Sequence, residues 1–255
     1  MLSFIPCNAL KPYIQSMIVS ESVSAQSYTV LPGTSVVLGF QFKGRLAYRR
    51  DNAAVSLATA GVTGILNKFR VFENTADTGT VLVIFNEAGA VHFFREPLYE
   101  LYNESLSLEY FVKRDQLVAL QERLSSANDN DARVKVVENF LLSRLDDRKE
   151  DLLAVAAIKQ IHQYKGNIRM ADLAGKLYTS KSPLEKRFRR VVGTTPKKFA
   201  NIIRMNSALL TMQSPLSGNT DHWLGFYDQA HFIHNFKDFT GATPEQYVKK
   251  LLTEK

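Results

Sequence analysis

The sequence contains a single cysteine, Cys7, in 255 residues. One thiol excludes an intramolecular disulfide framework and any zinc or iron–sulfur site built on several cysteines. Long hydrophobic runs are also missing. No stretch approaches the roughly 20 apolar residues that a membrane-spanning helix needs. The opening residues MLSFIPCNALKPYI carry no positive segment and no small-residue cleavage site, which argues against a secretory signal. Histidine is scarce, and only His92 falls within the first 150 residues, so that half lacks the ligands of a His-rich iron site. No serine or cysteine has an evident base partner. These absences point to a cytoplasmic protein without a cofactor that is not an enzyme. What is present is ordinary for a globular chain: 45% hydrophobic and 22% charged residues, enough for one large core or two modest ones.

Acidic residues are short in one half only. Residues 1–150 carry 16 Lys+Arg against 17 Asp+Glu, a net charge of -1, whereas residues 151–255 carry 16 against 8, a net charge of +8. A basic half beside a neutral one fits a nucleic-acid or other anionic partner, or else a solvated basic face with no partner. The break coincides with the charged segment RLDDRKED (Arg144–Asp151), which places a domain boundary at 150/151.

The first half reads as strands, from Tyr28 to Asn86, followed by helices. SVVLGFQF (Ser35–Phe42), RLAYRR, KFRVFEN (Lys68–Asn74) and TVLVIFN (Thr80–Asn86) are β-branched and aromatic runs separated by Gly- and Asp-containing breaks. They predict an antiparallel sandwich or barrel. An interior lined by Phe40, Phe42 and Phe85 would either be filled by these rings or hold a small apolar ligand. Helix-period apolar positions then appear at Leu117, Leu120 and Leu124, and at Val134, Val137, Leu141 and Leu145. They predict helices over about 109–126 and 132–146, the second capped by Asp131. Their apolar stripes would pack on the sheet or pair between subunits of a homodimer.

The second half contains a repeat. FRRVVGTTPKKF (Phe188–Phe199) and FKDFTGATPEQY (Phe236–Tyr247) match at an offset of 48 residues at Phe188/Phe236, Gly193/Gly241, Thr195/Thr243, Pro196/Pro244 and Phe199/Tyr247. The glycine suits a left-handed helix cap, the threonine an N-cap, and the proline the first position of the next helix. Upstream, MADLAGKLY (Met170–Tyr178) is a short amphipathic helix, followed by a turn and a helix from about Ser182 to Val192. Leu184, Phe188 and Val191 share one face of it. Ser182, Glu185, Lys186 and Arg189 occupy the other, flanked by Lys181, Arg187 and Arg190. Two short helices with a tight turn, the second basic outside, describe a helix-turn-helix. The second copy places a helix at about Gln229–Phe239, with Asp228 as cap and Phe232, Phe236 and Phe239 inward. Gln229, Ala230, His231, Ile233, His234 and Lys237 are left for the outer surface. PKKFANIIRMNSALLTMQ (Pro196–Gln213) is a long helix between the copies.

The stretches LAGKLYTSKSPLEKRFRRVVGTTPKKF and GFYDQAHFIHNFKDFTGATPEQY, with Arg204 between them, resemble the DNA-binding domain of the AraC/XylS family of bacterial transcription regulators. The resemblance covers residues from about 155 to 252. It implies two helix-turn-helix units joined by a rigid helix and entering successive major grooves. More loosely, the β-rich half resembles the sensing and dimerisation barrels that many members place first. One departure stands out: Thr220 and Asp221 occupy positions where the family has an Ile-Ala pair, which would shorten or displace the first helix of the second unit.

The expectation is therefore an α+β chain. It has a β-rich sandwich or barrel domain with trailing helices over 1–150 and an all-α double helix-turn-helix domain over 151–255. The expected function is a sequence-specific DNA-binding activator or repressor. Double-stranded DNA is its partner, and a small-molecule effector, RNA polymerase and a second copy of the chain are further partners. The DNA-contacting set is Lys181, Ser182, Glu185, Lys186, Arg189, Arg190, Lys197, Gln229, Ala230, His231, His234 and Lys237. Glu185 would accept from cytosine N4 or pair with a neighbouring Arg or Lys. His231 and His234 have a spacing that could hold a metal, but their place on a recognition helix fits DNA contact better. The alternative is a signal-binding or scaffold protein whose basic half is a non-specific electrostatic anchor.

Overall fold

The computed structural model describes residues 1–51, 53–213 and 229–253. Among the described residues ten strands come first: β1 (Leu2–Phe4), β2 (Ile14–Ser22), β3 (Gln26–Val30), β4 (Val37–Lys43), β5 (Leu46–Arg50), β6 (Ala53–Ser56), β7 (Ala60–Thr63), β8 (Arg70–Asn74), β9 (Thr78–Phe85) and β10 (Ser105–Ser107). They form two antiparallel sheets, ordered β1-β2-β9-β4-β7-β10 and β3-β8-β5-β6. Helices follow: α1 (Arg114–Ser126), α2 (Asn130–Leu142), α3 (Leu152–Gln163), α4 (Met170–Lys176), α5 (Lys181–Val192), α6 (Pro196–Gln213), α7 (Gln229–Thr240) and α8 (Pro244–Thr253). The chain is α+β, with a β-rich N-terminal half and a helical C-terminal half.

The larger sheet has two unlike faces, set by the two-residue side-chain period. Met17, Val19, Leu38, Phe40, Val81, Val83 and Phe85 are buried in the core. They belong to the face on which α1 and α2 pack, and the Phe40 ring meets Phe140 of α2 edge-on, centroids 5.7 Å apart. The alternate residues Ile18, Ser20, Val37, Gly39, Gln41, Thr80, Leu82 and Ile84 line a cavity between the two sheets. This corrects the expected interior. Phe40, Phe42 and Phe85 share a parity that turns them to the helix side. Phe85 packs on Phe93, and Phe42 lies under the Arg133 guanidinium at 4.3 Å.

The stripes of α1 and α2 are covered within the chain: Leu124 and Val137 have no exposure at all. Packing on their own sheet is the arrangement found. Both helices start elsewhere than expected. Residues 105–107 pair with β7, and Ser107 then accepts from the Glu109 N–H at the head of a 3₁₀ turn, so α1 begins only at Arg114. Asp129, not Asp131, caps α2, its Oδ1 accepting from Ala132 N–H at 2.8 Å. This cap starts the helix at Asn130, and the chain leaves helical geometry after Leu142. The first two strands lie ahead of Tyr28, the residue at which the strand pattern was expected to begin. Among the described residues no helix is long and apolar enough to cross a membrane.

Candidate nucleic-acid interface

The repeat in sequence is a repeat in structure. Gly193 ends α5 at φ +95° and Gly241 ends α7 at φ +83°, a region in which a side chain is strained. Their N–H groups donate to Arg189 O (3.0 Å) and Lys237 O (2.8 Å), carbonyls 48 residues apart. Thr195 Oγ1 accepts from Lys198 N–H, and Thr243 Oγ1 from Gln246 N–H. Gln246 returns the bond to Thr243 N–H at 3.0 Å, completing a capping box. Phe188 meets Phe199 edge-on at 5.4 Å, and Phe236 meets Tyr247 at 5.5 Å. In the first unit α4 packs on α5 with Ala174 buried between elements, as its small side chain requires. The expected first helix of the second unit, with Thr220 and Asp221, and the expected cap Asp228 lie outside the described residues.

The outward residues follow the amphipathic pattern. Lys181, Ser182, Glu185, Lys186, Arg189 and Arg190 on α5 are exposed, as is Lys197 at the start of α6. Gln229, Ala230, His231, His234 and Lys237 on α7 are exposed too, while Leu184, Phe188, Phe232 and Phe236 are buried. On α7 the Asn235 Nδ2 sits 3.0 Å from a ring nitrogen of His231 and donates to its carbonyl. Among the described residues no three His, Cys, Asp or Glu come together as metal ligands.

Sequence reasoning missed how the β-rich half grips the helical one. A Cβ on Gly193 would lie 3.1 Å from the Leu98 carbonyl oxygen, and one on Gly241 would lie 3.0 Å from the Phe69 ring. The C-terminal ends of both recognition helices therefore lean on the first half. Lys68 pairs with Asp238 of α7 at 3.1 Å, Arg189 lies over the Tyr99 ring, and Lys198 Nζ stands 4.3 Å over Tyr102. His162 Nε2 is 2.8 Å from the Glu87 carboxylate. Within the helical half, Arg187 of α5 grips Asp151 at the head of α3 through Nε and Nη2. These pairs join positions tens of residues apart, and no local pattern marks them. Arg204 is half-buried on α6, donates to Asn201 Oδ1 at 2.8 Å, and has its pKa lowered by burial.

The cavity between the sheets is the second notable feature. Its volume is about 790 Å³, and its wall includes Tyr28, Leu46, Phe72, Asn74 and Asn206 besides the strand residues named above. Asn206 belongs to α6, so the helix between the two units also borders the cavity.

Residues 173–250 match a helix-turn-helix domain model, and residues 2–107 match a domain of unknown function (DUF6597). The Msm operon regulatory protein of Streptococcus mutans serotype c (strain ATCC 700610 / UA159) is 31% identical over 121 residues, 46% of this chain and 44% of that protein. The uncharacterized HTH-type transcriptional regulator YdeC of Bacillus subtilis (strain 168) is 30% identical over 88 residues, 34% of this chain and 30% of that protein. The matched stretches thus span less than half the length of these relatives. Among solved structures, ToxT from Vibrio cholerae superposes with a TM-score of 0.48 at 14% identity, covering 91% of this chain and 97% of that chain. The AraC-like transcriptional activator CuxR gives 0.29 at 14%, covering 82% and 81%. The helix-turn-helix match falls on the stretch whose sequence resembles the DNA-binding domain of the AraC/XylS family.

Proposed function

We propose that this chain is a sequence-specific DNA-binding transcription regulator acting in the bacterial cytoplasm, with no catalytic role. The observation that carries the reading is the duplicated recognition helix. α5 and α7 share caps, core aromatics and an exposed polar face at a constant 48-residue offset, in a half with a net charge of +8. Helices so built enter two successive major grooves, their exposed side chains reading base edges while cations and helix N-termini hold phosphates. Lys181, Ser182, Glu185, Lys186, Gln229, Ala230, His231 and His234 form the reading set. Arg190, Lys197 and Lys237 neutralise phosphate. Arg189, drawn onto Tyr99, contributes least. The name of the Msm operon regulatory protein supports this reading.

The division of labour follows the charge break: residues 1–150 sense and residues 151–255 bind DNA. A small molecule in the cavity would touch Asn206 and so bear on the helix that sets the spacing of the two units. A homodimer would use a surface other than the buried stripes of α1 and α2, and RNA polymerase would meet the bound protein on DNA. Selection of bound sites from random duplexes tests the proposal. Recovery of a common motif spanning two adjacent major grooves supports it. Recovery of unrelated sequences favours the electrostatic anchor.

A further inference from the structure

A second pocket, of about 370 Å³, lies where the first half meets the charged linker and α3, apart from the cavity between the sheets. Tyr13, Val155 and Ile158 form its apolar side. Its polar side is built almost wholly of acceptors. His92 lines it and is only 6% exposed. The Nδ1 of His92 lies 3.3 Å from the Asp146 carbonyl, which can only accept, so Nδ1 carries the hydrogen and Nε2 of the neutral ring is an acceptor. Nε2 has no hydrogen-bond partner, yet it is not among the unpartnered atoms sealed inside the protein, so the pocket is what it faces. Asn86 is fixed in the same sense. Its Nδ2 donates to Lys11 O (3.2 Å) and Pro12 O (2.9 Å), which leaves Oδ1 as an acceptor without a partner. The charges of the wall do not cancel. Arg148, the one Lys or Arg among the described lining residues, turns Nε (3.2 Å) and Nη2 (2.7 Å) to Asp146 Oδ2, and Glu87 has His162 at 2.8 Å. Glu150 is exposed beside them and has no ion-pair partner among the described residues.

We propose that this pocket binds a small organic monocation, an ammonium on a compact apolar body, whose N–H groups are shared among His92 Nε2, Asn86 Oδ1 and the Glu150 carboxylate. Unpartnered acceptors select for a ligand that donates to them, and an unmatched carboxylate makes the donor a charged one. An anion would meet Glu87 and Glu150, with only the engaged Arg148 to receive it. The site also bears on the linker. The carbonyl of His92 accepts from Asp146 N–H at 2.9 Å, so the residue that holds the ligand also holds the start of the linker. Glu150 and Val155 lie beyond that point, and a bound ligand touches both halves of the chain. The proposal goes beyond the regulator reading and does not depend on it.

The test titrates the full chain in phosphate buffer with three compounds of one shape: benzylamine, benzyl alcohol and benzoate, followed by saturation-transfer NMR. Benzylamine binds saturably, benzyl alcohol at least about ten-fold more weakly, and benzoate not at all. Glu150→Gln removes the charge at an exposed residue, so the thermal midpoint stays unchanged. It weakens benzylamine about five-fold and leaves benzyl alcohol as it was. Val155→Trp fills the pocket from the half-exposed face of α3 and abolishes binding of both. Benzylamine that fails to saturate below about 20 mM overturns the proposal. Equal binding of benzyl alcohol or benzoate contradicts the charge argument, as does an unchanged affinity in Glu150→Gln. Binding retained in a folded Val155→Trp places the probe elsewhere and overturns the site. No DNA enters these titrations, so their failure leaves the regulator reading standing, and failure to select a DNA site leaves this proposal standing.

Discussion

The guanidinium of Arg189 lies over the ring of Tyr99, 5.1 Å from its centroid, and so joins a recognition helix to the β-rich half. Arg189 sits on the polar face of α5 with Lys186, yet the ring draws its charge toward the protein. Arg189→Ala is therefore expected to weaken DNA binding less than Arg190→Ala, and to cost about 0.5–1 kcal/mol of stability. Paired equilibrium binding and urea titrations check both. A larger DNA effect at Arg189 would place its guanidinium on phosphate.

Asp151 holds two elements at once. Its Oδ1 accepts from Ala154 N–H at the start of α3 and from Arg187 of α5. Burial alone would raise the carboxyl's pKa. The Arg187 hydrogen bond, the Ala154 N–H and the charges of Arg187 and Arg190 together bring it below the usual value. A lowered folded pKa contributes stability that is complete above the unfolded value of about 3.9 and is lost as pH falls through the folded one. Asp151→Ala should cost about 1–2 kcal/mol near neutral pH, chiefly the cap. The deficit should shrink below about pH 4. Asp151→Asn keeps a cap acceptor and should lose less. A pH-independent deficit would assign the effect to something other than ionisation.

Leu124 is fully buried against its own sheet. Leu124→Lys is expected to destabilise the chain by more than about 3 kcal/mol rather than yield a folded monomer, because a desolvated ammonium would lack a partner. Sedimentation and circular dichroism separate the outcomes. A folded, monomeric variant derived from a dimeric parent would show that the helix faces a second copy.

A fragment beginning at Asp151 tests the division of the chain. It is expected to fold as a helical unit and bind DNA, with a lower thermal midpoint than the full chain, since Gly193 and Gly241 lose Leu98 and Phe69. A fragment without helical dichroism would mean that the β-rich half is needed to fold the rest.

The helical half was legible because its signals are local. The Gly-x-Thr-Pro punctuation dictates a left-handed cap, an N-cap and a helix start within four residues, and all three are found at Gly193–Pro196 and Gly241–Pro244. The β-rich half was legible only as a class. Phe40 and Gly39 are one residue apart and face opposite ways, so strand position alone left undecided which parity met the helices. Residues 109–113 were expected to begin the helix, but the 3₁₀ turn at Leu108–Tyr110 that follows the pairing of 105–107 with β7 keeps them out of α1. Arg189 on Tyr99 and Lys198 on Tyr102 depend on tertiary contact, which no spacing in one chain records.

The central claim is that paired recognition helices read bases, and the most direct measurement is site preference in Lys186→Ala and His234→Ala. Both side chains are exposed beside buried Phe188 and Phe236, so truncation opens no cavity. Each variant is predicted to lose about 1–3 kcal/mol on the selected site and to relax preference at one or two base pairs, the two positions lying in adjacent major grooves. Lys197→Ala is the control. Lys197 is exposed near a helix start, whereas Lys198 is drawn onto Tyr102. It should weaken all sequences alike and lower the salt slope by about one. If Lys186→Ala and His234→Ala leave site preference unchanged and shift only the salt dependence, direct readout is contradicted and the basic half is an electrostatic anchor.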